Sequence, residues 1–281
     1  RLMSLHLVKN GFTDAALFGA DGQVLQPSEA LYKKHILVMR GRLRPVTNVQ
    51  MDMIENGLKQ FKDEPDVDAN RVISMAELTL HNLKANEQGI DEKDFLDRVD
   101  ILCSMGQTVM ISNYLEYYKL VAYLARLTRL KIGLIVGIPN LEYIFEESHY
   151  EFLPGGILES FATLFSRKVK LFVYPTLKEG SIYTCNEFKL TPALEPLFQY
   201  LVRNDKIEDI TDYNEQNLHI STDRVLEMIQ LGEDGWESMV PDRVSEQIKA
   251  NCLFGYPCEV EYVPIGQQVR QQQEEEQMPA K

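Results

Sequence analysis

The chain has no apolar run long enough for a membrane-spanning helix and few cysteines, which argues against a membrane protein and against a disulfide-rich or zinc-binding one. Its longest apolar run, around residues 132–136, has the length of a strand and is far shorter than the about 20 residues of a membrane-spanning helix. The spacing of its cysteines fits neither a zinc site nor a disulfide framework. We therefore expect free thiols in a cytoplasmic protein. The cysteines are Cys103, Cys185, Cys252 and Cys258.

Histidines and basic residues are also scarce. The five histidines stand singly along the chain, which is typical of surface or core residues and predicts no metal site. The 29 Lys and Arg residues are outnumbered by 42 Asp and Glu residues, and the net charge is −13. This excess of acid argues against a general nucleic-acid or membrane-surface role, although a local group of arginines could still hold a small anionic ligand.

Hydrophobic residues make up 44% of the chain, enough for a sizeable core, and their order predicts three parts. Residues 1–34 form a lead-in, with a hairpin at Asp21-Gly22 and a short helix at 29–33. Residues 35–256 form the main domain. Residues 257–281 form a polar tail with Gln and Glu runs, a composition that is typical of disorder.

The main domain begins with strands and helices in alternation. This order predicts right-handed crossovers and a doubly wound α/β fold, in which helices cover both faces of a parallel five-stranded sheet. The later part of the domain becomes more helical. The predicted strands are 35–40, one within 71–80, 107–112, 131–136 and 168–174, and the predicted C-terminal helices are 192–203, 221–231 and 241–251.

The turn that follows the first strand of this domain has the features of an anion site. Gly41 allows close approach of the backbone, and Thr47 or Asn48 can cap the next helix. The free N–H groups at the start of that helix would then face the crevice at the carboxyl ends of the strands.

Three arginines occur within five residues at the same turn: Arg40, Arg42 and Arg44. Guanidinium groups bind phosphate oxygens in a bidentate way, so the turn predicts a phosphate site. The alternative interpretation is a surface loop with three solvated arginines.

Three segments resemble motifs of one enzyme family. The turn GRLRPVTNVQMD at 41–52 resembles the Gly-Ser-Phe-Asp/Asn-Pro-Ile/Val-Thr/His-x-x-His pattern of nicotinamide or nicotinate mononucleotide adenylyltransferases and of pantetheine-phosphate adenylyltransferase. ISTDRVL at 220–226 is similar to their Ile-Ser-Ser-Thr-x-x-Arg helix start, and LIVGIPNL at 134–141 to Ile-Ile-Gly-x-Asp-x-Leu. The resemblance covers about residues 35–256 and implies a Rossmann-like nucleotidyltransferase fold.

The resemblance also implies a reaction and its residues. In this family AMP passes from ATP to a nicotinate or nicotinamide mononucleotide in NAD biosynthesis, with Mg²⁺ on the triphosphate. Other members use phosphopantetheine, glycerol phosphate or phosphocholine-type acceptors with ATP or CTP. The implied catalytic residues are Arg44, Thr47 and Gln50. The implied nucleotide-binding residues are Gly41, Arg42, Gly137, Asn140, Ser221, Thr222 and Arg224.

Several residues depart from the family pattern. Gln50 replaces a histidine, Pro139 an aspartate and Leu226 an arginine, while Asp223 brings a negative charge to a helix start that should receive phosphate. The loss of such groups from a transition-state clamp costs several kcal/mol unless others replace them. A second hypothesis is therefore a catalytically degenerate relative that acts as a regulatory or scaffold subunit, in a homo-oligomer or with a protein partner held through the tail.

Overall fold

The alternating strands and helices build a layered α/β structure around a central sheet. The structure is a computed structural model, and it describes residues 1–86, 89–165 and 168–258. Within these residues the strands are β1 Ala15–Phe18, β2 Val24–Leu25, β3 His35–Arg40, β4 Val72–Thr79, β5 Lys84–Asn86, β6 Gly89–Ile90, β7 Thr108–Ser112, β8 Ile132–Gly137, β9 Val169–Tyr174, β10 Thr176–Lys178, β11 Ser181–Tyr183 and β12 Ile207–Asp209. The helices in the same residues are α1 Leu2–Lys9, α2 Pro27–Ala30, α3 Asn48–Lys62, α4 Leu80–Leu83, α5 Glu92–Ser104, α6 Tyr117–Leu127, α7 Ile138–Ile144, α8 Gly156–Leu164, α9 Glu195–Arg203, α10 Thr222–Leu231 and α11 Asp242–Asn251.

In the described part of the chain, the main sheet has eight strands in the order β12-β9-β8-β3-β4-β7-β1-β2. The strands from β12 to β7 are parallel, and β1 and β2 add an antiparallel edge. The chain enters the sheet's parallel part at β3, proceeds outward to β7, and returns to β8 on the other side of β3. The strand order therefore reverses between β3 and β8, as in doubly wound dinucleotide-binding folds.

The predicted doubly wound parallel sheet is confirmed, with β3, β4, β7, β8 and β9 at the predicted places. The sequence analysis missed the sixth parallel strand, β12, because only Ile207 of its residues is a buried apolar one. The lead-in hairpin is also confirmed, and its strand β1 pairs with β7 in the main sheet, with Phe18 opposite Val109.

Apolar side chains form a separate core on each face of the sheet. On one face, α3, α5, α10 and α11 pack through residues such as Phe61, Phe95 and Ile248. On the other face, α6, α7, α8 and α9 pack through residues such as Leu120 and Phe198. The helices of both faces are amphipathic, and their buried stripes cover the sheet as the periodicity predicts.

Two glycines allow close packing between helix α3 and the sheet. A Cβ atom at Gly57 of α3 would lie 2.5 Å from Cδ1 of Ile135 on β8, and one at Gly133 would lie 2.7 Å from Cδ1 of Leu37 on β3. A side chain at either position would therefore have to push Ile135 or Leu37 aside. This contact fixes α3 across the two strands that flank the reversal of strand order, and so it fixes the place of the helix's first turn.

The expectation of four free thiols is wrong. Cys252 and Cys258 form a disulfide, with 5.7 Å between their Cα atoms, whereas Cys103 and Cys185 are free and buried. Cys252 and Phe254 both have positive φ, which turns the chain back on itself after α11. The spacing of two cysteines does not encode such a return. The rest of the predicted tail, residues 259–281, lies outside the described residues. In the described part, none of the helices is long and apolar enough to cross a membrane.

Candidate functional site

A cavity of about 390 Å³ opens where the strand order reverses. It lies at the carboxyl ends of β3 and β8, which is the usual place for a ligand in this kind of sheet. Residues from the turn after β3, from the starts of α3 and α7, and from the start of α10 surround it. Its lining is Met39, Arg40, Gly41, Arg42, Val49, Gln50, Met53, Gly137, Pro139, Asn140, Ser221, Thr222 and Asp223.

The structure brings most of the predicted site residues to this cavity and leaves others out. Those that line it are Gly41, Arg42, Gln50, Gly137, Asn140, Ser221 and Thr222. Arg44, Thr47 and Arg224 do not belong to the lining, and each has another structural partner, described below. The apolar walls from Met39, Val49 and Met53 were not predicted as part of the site.

The two motifs touch each other through one ion pair. Nη1 of Arg42 lies 3.2 Å from Oδ1 of Asp223, although the two residues are 181 positions apart in the sequence. Both side chains are exposed, at 53% for Arg42 and 80% for Asp223. Both residues line the cavity, so the pair joins two of its sides, and the exposed guanidinium of Arg42 is open to an incoming anion.

The guanidinium of Arg40, at the start of the turn, is buried and hydrogen-bonded within the protein. Its Nε and Nη2 donate to the buried carboxylate of Glu77 at 2.6 and 3.2 Å, and its other N–H groups donate to the carbonyl oxygens of Tyr114 and Leu115. Burial alone would lower the pKa of Arg40, but the charge of Glu77 raises it above the ordinary value. Arg40 therefore fastens the ends of β3 and β4 together beneath the cavity.

Arg44 is held by helix α5. Its Nε lies 2.5 Å from Oδ1 of Asp94, which also pairs with Arg98 one helical turn later. Nη1 of Arg98 donates to the carbonyl oxygen of Arg42 at 3.0 Å, so α5 supports the turn from below. Asp94 and Arg98 were not predicted as part of the site. The sequence feature that could have revealed them is a pair of opposite charges at positions i and i+4 on the buried face of α5, beside core residues such as Phe95.

Thr47 and Gln50 form the N-terminal cap of α3. The backbone N–H of Thr47 donates to Oε1 of Gln50 at 3.0 Å, as in a capping box. Thr47 itself is fully buried. Asn48 donates from Nδ2 to the carbonyl oxygen of Ser238 at 2.9 Å, which joins the start of α3 to the turn before α11. Gln50 therefore has a structural task at Oε1 while it also lines the cavity.

The start of α10 presents hydroxyl groups rather than a guanidinium group. Ser221 is the N-cap residue, and its Oγ accepts from the backbone N–H of Arg224 at 3.5 Å. The guanidinium of Arg224 pairs with Glu227 at 2.8 Å and with Glu233 at 2.5 Å. Leu226, which stands where the family pattern has arginine, packs against the core.

Comparison with known proteins gives structural likeness only. No protein-family model matches the chain, and no curated protein sequence matches it. The solved structures similar to it include Plasmodium falciparum nicotinic acid mononucleotide adenylyltransferase complexed with APC, at 9% identity and a TM-score of 0.46. The same enzyme complexed with NaAD has 11% identity and a TM-score of 0.44. Each of these likenesses covers 80% of this chain and 98% of the other.

Proposed function

We propose that this protein binds a nucleoside triphosphate in the cavity between β3 and β8 and transfers its adenylyl group to a nicotinate or nicotinamide mononucleotide. The observation that supports this most strongly is the meeting of two distant segments, the turn at 41–44 and the start of α10, around one cavity. Both segments carry groups that suit phosphate: a guanidinium, a close glycine backbone, hydroxyl groups and free helix N–H groups.

The proposed chemistry needs alignment more than reactive side chains. A phosphate oxygen of the mononucleotide attacks the α-phosphorus of ATP, the bond from that phosphorus to the bridging oxygen breaks, and pyrophosphate leaves. The protein has to hold both phosphates in line and balance their charge. In this proposal Gly41, Arg42 and Gln50 contact the triphosphate from one side, and Ser221 and Thr222 from the other.

The nucleoside would lie beside Gly137 and Asn140, where the cavity continues to the start of α7. Gly137 ends β8, and a Cβ atom there would meet only Cδ of Pro139, at 3.7 Å, among the described atoms within 4 Å. The backbone is therefore open to a flat group. The apolar side chains of Met39, Val49 and Met53 give the cavity a face on which such a group can rest.

The cavity also suits a metal that arrives with the triphosphate. Asp223 is an exposed carboxylate in the lining, and the described residues contain no cluster of three or more His, Cys, Asp or Glu side chains that could hold a metal alone. Mg²⁺ is commonly bound through one or two carboxylates together with substrate phosphates, and it would neutralise charge on the phosphates. Asp223 is the residue we assign to this contact.

Arg44 and Arg224 are assigned structural ion pairs in this proposal, not contacts with the nucleotide. Both lie outside the cavity lining and both are paired with carboxylates, so we expect neither to contact phosphate directly. These pairs, with Gln50 engaged in a cap and leucine at position 226, support the second candidate, a relative that binds the nucleotide but turns it over slowly or not at all.

Two measurements separate these functions. Calorimetry with ATP, and with the mononucleotide, tests binding, and release of pyrophosphate in the presence of Mg²⁺ tests turnover. Binding with release supports the enzyme, and binding without release supports the regulatory subunit. No binding contradicts both of these nucleotide-binding functions and leaves the scaffold subunit. Arg42→Ala should weaken ATP binding by about tenfold or more, because charge-assisted hydrogen bonds contribute about 1.5–3 kcal/mol. Arg224→Ala is the matched control and should leave the dissociation constant unchanged.

A further inference from the structure

Three charged side chains, two of them buried and one partly buried, meet beneath the turn that follows β3. Asp94 lies between two guanidinium groups, with Nε of Arg44 2.5 Å from its Oδ1 and Nη2 of Arg98 paired with its Oδ2. The exposed fractions of these side chains are 17% for Arg44, 6% for Asp94 and 1% for Arg98. Two positive charges thus share one negative charge in the interior. In the described ranges, neither guanidinium has an ion pair with a second carboxylate.

Arg98 holds two turns of the sheet edge at the same time. Its Nη1 donates to the carbonyl oxygen of Arg42 at 3.0 Å and to that of Asn82 at 2.9 Å. The first carbonyl belongs to the turn after β3, and the second to α4, which follows β4 directly. A single side chain on α5 therefore fixes the relative position of the two turns.

The turn needs such support because its backbone is strained. Leu43 has a φ of 48°, in the left-handed region that a residue with a branched side chain rarely adopts and that costs about 1–2 kcal/mol. Arg98 fixes the peptide plane just before Leu43 by holding the carbonyl oxygen of Arg42. The Leu43 side chain, 1% exposed, is locked in the core. The position of Arg42 at the cavity follows from these two constraints.

Among the described residues, the surplus positive charge of Arg44 and Arg98 has no second carboxylate partner. Burial lowers the pKa of Arg98, and the charges of Arg44 and Arg42 lower it further, but a guanidinium stays protonated in proteins. An uncompensated buried cation is costly, and an anion nearby offsets part of that cost. The carbonyl that Arg98 holds belongs to Arg42, which lines the cavity, so Arg98 lies directly behind the cavity wall.

We infer that Arg98, together with Asp94 and Arg44, is the positioning unit of the polyphosphate site, and that its surplus charge makes affinity rise with the number of phosphates on the ligand. This inference rests on the proposed nucleotide binding. Arg98 touches no ligand in it. Arg98 acts by fixing the turn and by adding positive charge behind it, in place of the arginine that the second motif lacks at Leu226.

The test compares Arg98→Lys, which keeps the charge, with Arg98→Met, which removes it. AMP, ADP and ATP are titrated by calorimetry into the 281-residue wild-type chain and both variants. Arg98→Met should weaken ATP binding on the order of tenfold and AMP binding by at most about twofold, since Coulomb attraction grows with ligand charge. Arg98→Lys should keep the preference for ATP. Arg71→Met is the matched control, because Arg71 donates to the Lys33 carbonyl at the opposite edge of the sheet and should matter for none of the ligands.

Equal loss of AMP, ADP and ATP affinity in Arg98→Met would overturn the electrostatic inference, because a merely structural role affects all three alike. The electrostatic inference would also be overturned if Arg98→Lys and Arg98→Met had the same affinities for AMP, ADP and ATP. If Arg98→Met does not fold, Arg44→Met replaces it, since Arg44 is more exposed and should show the same graded loss.

Hydrogen exchange without any nucleotide separates this inference from the proposed function. Amides of residues 41–47 should exchange faster in Arg98→Met than in the wild type, and Arg98→Lys should restore most of their protection. Unchanged exchange would overturn the positioning of the turn. If the wild type binds none of the three nucleotides, the proposed function and the phosphate preference fail together, and the exchange result alone decides whether Arg98 positions the turn.

Discussion

Arg42 and Asp223 form an ion pair of 3.2 Å between the turn after β3 and the start of α10. The sequence predicts that these segments lie together and that Asp223 repels a phosphate. It does not predict that Asp223 forms an ion pair with Arg42. The pair joins two sides of the cavity through exposed side chains, and exposed pairs contribute only about 0.2–1 kcal/mol. A polyphosphate can therefore displace Asp223 from Arg42 at small cost.

Asp223→Asn should strengthen ATP binding in the absence of Mg²⁺ by about two- to fivefold, because the competitor for Arg42 and the repulsion at the helix start are both removed. With excess Mg²⁺ the gain should shrink, since the carboxylate then contributes to binding. Calorimetry at both conditions measures this. Asp205→Asn, at the opposite edge of the sheet, is the control. Weaker ATP binding by Asp223→Asn without metal would contradict the assignment.

Gln50→Glu should separate two roles of Gln50, which are the capping of helix α3 and the proposed contact with the triphosphate in the cavity. A carboxylate oxygen can accept the Thr47 N–H as Oε1 does now, and a negative charge suits a helix N-terminus, so the free energy of unfolding should fall little or rise slightly. ATP affinity should fall severalfold because like charges then meet in the cavity. Gln50→Ala is the reverse control, which loses about 1 kcal/mol of stability with the cap. Unchanged ATP affinity in Gln50→Glu would remove Gln50 from the phosphate site.

A buried charge cluster at the amino ends of β8 and β9 should determine stability without affecting ligand binding. Glu64 accepts from Nζ of Lys170 at 2.6 Å and also pairs with Lys131. Glu64→Gln removes the charge shared by two ammonium groups. Lys131 keeps Asp66, and Lys170 keeps Asp205 and Glu208, so the change should cost about 1–3 kcal/mol of unfolding free energy. Denaturant unfolding measures this, and ATP affinity should stay constant. Adding Lys131→Met should recover part of the loss, and strict additivity of the two changes would contradict the direct pairing.

His35 should make stability depend on pH near neutrality. Burial lowers its pKa from the ordinary 6.5, and both ring nitrogens face backbone N–H groups, of Asp68 and Lys131, at 3.2 Å. An imidazolium has no acceptor nitrogen, so protonation is disfavoured in the folded state. The unfolded chain therefore binds the proton first, and the contribution of His35, present above about pH 6.5, should be lost as the pH falls below it. His35→Gln should remove this part of the pH dependence, and an identical pH profile in both proteins would contradict the assignment.

The fold could be predicted where local patterns decide it. All six residues of β3 are buried, and such runs identify central parallel strands. Strand β12 was not predicted because two of its three residues are polar. The short edge strand β2 was found through the turn at Asp21-Gly22, although only one of its residues, Leu25, is even partly buried.

The sequence could predict that most of the candidate residues meet at one cavity, but not how their side chains pair. Gly41, Asn140 and Ser221 reach one cavity because three turns of the sheet edge meet where the strand order reverses. The partner of Arg44 is Asp94, 50 residues away on a helix whose pattern indicates only burial. Long-range ion pairs leave no periodic trace in a sequence, and the same holds for the disulfide that follows α11.

A crystal structure with a non-hydrolysable ATP analogue and Mg²⁺ would show whether triphosphate binds between the turn after β3 and the start of α10. We expect phosphate oxygens within hydrogen-bond distance of the Arg42 guanidinium and of the Ser221 and Thr222 groups, with Asp223 turned away from Arg42. A triphosphate bound elsewhere, or an Arg42–Asp223 pair that stays closed over an empty cavity at saturating analogue, would contradict it.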